Sequence, residues 1–131
     1  NLRKYLKNGG FLMAEACCGR RSFNSSFIRE MKKVMPECSL TQIPNDSQVL
    51  SLPNLIKTLG ITPALSAQLG NQSTIHPKLF GINIDGHYGV IYSPYGIAGG
   101  WEMSQNPYAF GYDNAGSLSL GENILFYAVT H

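Results

Sequence analysis

Gly9-Gly10-Phe11-Leu12-Met13-Ala14-Glu15-Ala16-Cys17-Cys18-Gly19 is the stretch that decides the fold. It is apolar almost throughout, short, and bounded by glycine on both sides. A run of that length and composition fits a strand covered on both faces, as in a parallel sheet. Before it, Leu2, Tyr5 and Leu6 recur at helix spacing, and Asn8-Gly9-Gly10 closes that helix with residues that tolerate the left-handed conformation. After it, Gly19 to Ser22 read as a turn. Phe23, Phe27, Ile28, Met31, Val34 and Met35 then form one apolar helical stripe that Pro36 ends. Ser22 or Asn24 is expected to cap that helix. Helix, strand, helix predicts an α/β fold.

Leu40 to Ile43 reads as a short strand, and Pro44-Asn45-Asp46-Ser47 as a turn. Asn54 to Leu59 reads as a short helix. Gly60 to Pro77 reads as a long polar loop, long enough to hide a further helix. Leu79 to Ile84 and His87 to Ser93, joined by Asp85-Gly86, predict a hairpin. In it Tyr88, Val90 and Tyr92 are expected on one face. Leu118, Leu120, Ile124, Tyr127 and Ala128 mark a closing helix.

The chain has 131 residues, 44% of them hydrophobic and 14% charged. That balance excludes general disorder. No apolar run approaches the ~18 residues of a membrane span. Residues 1–57 carry +5 (nine Lys and Arg, four acids) and residues 58–131 carry −3 (one Lys, four acids). The excess cations fall on the polar face of the second helix, so no nucleic-acid partner is expected. Three cysteines, two of them adjacent, do not make a disulfide framework, and His76, His87 and His131 give no metal-ligand spacing. No phosphate-cradling loop and no cofactor motif is present. Asn1 opens inside a helical pattern with no signal-peptide layout, so the chain is expected to be one α/β domain, 1–131, that lacks its beginning.

Three blocks carry a family resemblance. Leu2 to Leu12, followed by Ala16-Cys17-Cys18-Gly19 and Ser26-Phe27, is the first. Ile91-Tyr92-Ser93-Pro94 with Gly100-Trp101-Glu102 is the second. Leu120-Gly121, Asn123-Ile124 and Tyr127-Ala128 make the third. Together they resemble the domain of unknown function 4159. The resemblance implies a largely bacterial domain related in fold to class I glutamine amidotransferases. That is a flavodoxin-like three-layer sandwich with a mostly parallel sheet, here without its first strand. It implies a larger parent protein, exported or membrane-associated, whose other domains or ligand would be the partners. Many members carry two acids where this chain has Glu15 and Ala16, and a His where it has Ser47.

Cys17 and Cys18 are the candidate catalytic residues. They stand between a strand and a helix N-terminus, beside Arg20 and Arg21, and both features favour a thiolate. The amidotransferase elbow has glycine two residues on either side of its Cys; Cys17 has Gly19 on one side and Glu15 on the other. A base is missing, since His76-Pro77-Lys78 lacks the acid of the amidotransferase pattern. Buried packing is the competing reading. Glu15 is expected to pair with Arg20 or Arg21, to cap a backbone group, or to face a cleft at the strand's carboxyl end. Ser93, Tyr95, Trp101 and Glu102 complete the candidate ligand set with these residues. Tyr108 and Tyr112 extend it into an aromatic surface able to stack on a sugar or peptide. The favoured function is a non-catalytic ligand- or partner-binding module. The alternative is a thiol-dependent hydrolase or amidotransferase-like enzyme using Cys17. A third reading is a structural interaction domain with no small-molecule site, in which the missing first strand leaves an unpaired sheet edge or apolar face beside residues 11–17 that the parent protein would cover.

Overall fold

The computed structural model describes residues 2–16, 21–97 and 111–131, with backbone alone for 21–24. The order is α1 (Leu2–Lys7), β1 (Leu12–Glu15), α2 (Arg21–Val34), β2 (Thr41–Gln42), a 3-10 turn (Gln48–Leu50), β3 (Leu59–Gly60), α3 (Pro63–Gln68), β4 (Thr74–Ile75), β5 (Phe80–Ile84), β6 (His87–Ser93) and α4 (Asn114–Thr130). The main sheet has four strands in the order β1-β6-β5-β2, and β3 pairs with β4 in a separate two-stranded sheet.

The expected mostly parallel sheet does not form, and the flavodoxin-like, class I glutamine amidotransferase-like sandwich falls with it. Among the described strands of this sheet only β1 and β6 run parallel; β5 is antiparallel to β6, and β2 to β5. The cause is the Asp85-Gly86 turn. Asp85 at φ 54° and Gly86 at φ 90° close a two-residue hairpin, which can only join antiparallel strands. The architecture is mixed α/β with a mixed sheet.

Two hydrophobic clusters cover the sheet. One sets Leu6 of α1, Met31 of α2 and Met35 just past that helix against Ile82, Ile84 and Val90. The other sets Leu120, Ile124 and Tyr127 of α4 against Ile91, Leu79 and Ile43, with Phe11 and Met13 beside them. Each fully buried side chain of this size contributes about 1.5–3 kcal/mol by leaving water. Hairpin pairing shifts between Ile82↔Val90 and Asn83↔Tyr88, which leaves Gly89 as an extra residue. That bulge reverses the facing of what precedes it. Tyr92 stacks on Phe27 of α2, with centroids 4.4 Å apart, while Tyr88 lies 6.1 Å from the Tyr127 ring of α4. Tyr88 therefore does not share a face with Val90 and Tyr92.

Elsewhere, α2 starts at Arg21, so Ser22 and Asn24 lie within it instead of capping it. Residues 54–58 are not helical. The 60–77 stretch does hold a helix, α3, with Thr62 accepting from Leu65 N and Pro63 in its first turn. Asp113 caps α4 by accepting from Gly116 N. Among the described residues no helix is long and apolar enough to cross a membrane.

Candidate functional site

The carboxyl ends of the parallel pair bring three of the candidate residues together. Glu15 and Ser93 are register partners, and Ala16 N donates to Ser93 O at 2.9 Å. Ser93 is buried; its hydroxyl donates to Tyr95 O at 2.6 Å and accepts from Tyr95 N at 3.3 Å. The Glu15 carboxylate accepts a hydrogen bond from Ile97 N. Of the roles expected for Glu15, the backbone cap is thus formed: it holds the turn that follows β6. Tyr95 meets Tyr112 edge to face at 6.1 Å. Tyr112 is fully buried and accepts from Lys78 N at 3.0 Å; burial pushes its hydroxyl above the ordinary tyrosine range. Cys17, Cys18, Arg20, Trp101, Glu102 and Tyr108 lie outside the described residues, as does the Arg21 side chain. Among the described residues, no three His, Cys, Asp or Glu side chains gather to hold a metal ion.

A second place is built from the edge of the sheet and the outer side of α4. An open groove of about 440 Å³ lies there. Phe11 and Met13 supply the strand side. Leu118, Gly121, Leu125 and Ala128 fall on one face of α4 and supply the other, with Ile124 behind them. Leu118 is 52% exposed and Leu125 66%, so they form the outer wall. Gly121 and Ala128 are small and leave the hollow between. Among the described residues of the lining, Glu122 is the one that is ionisable.

The groove reuses Phe11 and Met13 of the deciding stretch, but in the sequence its helical half reads as a closing helix alone. One signal was available. An ordinary surface helix has a single apolar stripe. In α4, Leu120, Ile124 and Tyr127 are buried, yet Leu118, Leu125, Phe126 and Val129 are apolar and exposed. That is a second apolar surface.

The family model described as Domain of unknown function (DUF4159) matches residues 1–129. No curated protein and no solved structure gives a significant match. The matched span takes in both β1 with its groove and the Glu15–Ser93 end of the sheet, and the chain belongs to this family of domains of unknown function.

Proposed function

We propose that this domain is a binding module whose site is the groove between β1 and α4, filled by an apolar segment of a partner polypeptide. The supporting observation is an apolar hollow bordered by exposed Leu118 and Leu125 on one helix. Large apolar side chains clustered in this way mark contact surfaces more often than isolated ones do. The volume also lies in the range of ~300–1,000 Å³ typical of occupied sites.

Nile red, a neutral dye whose emission rises in apolar sites, tests the reading. The folded domain is expected to bind it at one saturable site. Leu125→Lys is expected to abolish that emission while circular dichroism and Tm stay unchanged. Equal dye binding by the variant, or none by the parent domain, overturns the assignment.

A further inference from the structure

We infer that the hollow between the second half of α2 and β5 binds a small carboxylate with a medium-length alkyl chain, the chain lying over Met31, Leu40 and Ile82 and the carboxylate at Lys32. This site stands apart from the β1–α4 groove and does not depend on it.

The hollow follows from how the chain leaves α2. Pro36 cannot continue a helix, and Cys38 N donates to Met35 O at 3.1 Å, so the chain turns at once. β2 then pairs with β5 at Thr41↔Gly81 and Gln42↔Phe80. One step earlier in that register, Leu40 comes level with Ile82 as the chain parts from the sheet towards α2. The space between the departing segment, the helix and the strand is a cavity of about 410 Å³, more enclosed than the β1–α4 groove.

Two kinds of side chain line it. Met31 is 4% exposed and Ile82 1%, so they make the floor. Ile28 and Leu40 are half-buried and make the walls. The unbranched Met31 can adapt to an alkyl chain laid against it. Lys32, Cys38 and Ser39 bring the polar atoms. An apolar hollow with a few polar groups is the usual make-up of a small-molecule site, and the volume lies within the range of ~300–1,000 Å³ such sites span.

Charge selects the class of ligand. Of the described residues on the lining, Lys32 is the charged one. The acids of the segment 21–42 are Glu30 and Glu37, and both are engaged. Glu30 meets Lys33 at 3.5 Å and Arg29 at 3.9 Å; Glu37 meets Arg3 at 2.9 Å and Lys7 at 3.4 Å. Among the described residues no carboxylate pairs with Lys32. A ligand carboxylate would supply that partner, while the Lys32 stem covers the alkyl chain below it. The β1–α4 groove offers an anion the opposite, because its charge is that of Glu122.

Decanoate is the probe. It is titrated into the folded domain below its micelle concentration and followed by the ¹H–¹³C methyl signals of Met31, Leu40 and Ile82, which are expected to shift saturably. Decanol, the same chain without the charge, is expected to bind about threefold or more weakly. Lys32→Gln is expected to erase that difference with Tm unaltered. Leu125→Lys is expected to bind decanoate as the parent domain does, so this inference and the groove reading fail separately. Equal affinity for decanoate and decanol in the parent domain overturns the inference, and so does a preference for decanoate that persists in Lys32→Gln. Shifts confined to Leu118, Leu125 and Ala128 place decanoate in the groove and overturn it too, as does the absence of saturable binding.

Discussion

Glu37 sits just past α2, where Arg3 of α1 reaches it with two nitrogens at 2.9 Å each and Lys7 with one at 3.4 Å. Arg3 also donates to Val34 O at 3.0 Å, so it ties α1 to the end of α2. The Arg3 hydrogen bond holds the Glu37 carboxyl down at about 2, against an ordinary 4.5. A depressed carboxylate contributes stability that is complete above the unfolded value and lost as pH falls through the folded one. Urea midpoints should therefore decline between 4.5 and about 2, and Glu37→Gln should flatten that part of the decline. The pair is exposed to solvent, so salt should shrink the difference. A fully buried residue behaves differently. Asn123 accepts from Asn54 N at 3.0 Å and from Asn54 Nδ2 at 3.1 Å, and it donates to Asn54 O at 2.8 Å. Asn123→Ala strands these partners and is expected to cost about 1–3 kcal/mol in urea unfolding. An unchanged midpoint would show that water replaces the clamp.

At the scale of elements, local turn chemistry was the most legible part of the sequence. Asp85-Gly86 announced the β5–β6 hairpin, whereas the Thr62-Pro63 start of α3 is hidden inside a stretch that reads as loop. What the chain did not reveal was pairing between distant strands. The apolar run at residues 11–18 suits a parallel sheet, and its one neighbour among the described residues, β6, is parallel to it, but the strands beyond β6 are antiparallel. A single extra residue, Gly89, also defeated simple alternation, because a period of two has no memory across a bulge. Close backbone approach is equally hidden. A Cβ on Gly111 would lie 2.6 Å from Gly96 O, where the segment before α4 passes the turn after β6. Gly111→Ala is expected to lower stability by about 1–3 kcal/mol, read as a drop in Tm. A neutral result would mean that the two segments separate freely.

Across the whole molecule, α4 serves two surfaces. Ile124 is 4% exposed and belongs to the core, whereas Leu125, next to it, is 66% exposed. Ile124→Ala is expected to cost about 2–5 kcal/mol. Leu125→Lys should stay within about 0.5 kcal/mol of the parent domain, both measured by chemical unfolding. If Leu125→Lys unfolds the domain, that side chain belongs to the core and the groove loses its outer wall. Candidate residues fared in the same divided way. Glu15, Ser93 and Tyr95 were legible because they flank the ends of recognisable strands, and they do meet; their bonds go to the turn after β6. The groove was not legible from β1 alone, since its second wall comes from a helix more than a hundred residues later in the chain.

Those two places give the most direct test. In a ¹H–¹⁵N spectrum of the folded domain titrated with Nile red, shifts are expected to cluster on Met13, Leu118, Leu125 and Ala128. Shifts that cluster instead on Glu15, Ser93, Tyr95 and Ile97, with the groove silent, would contradict the groove reading and move the site to the carboxyl end of the sheet.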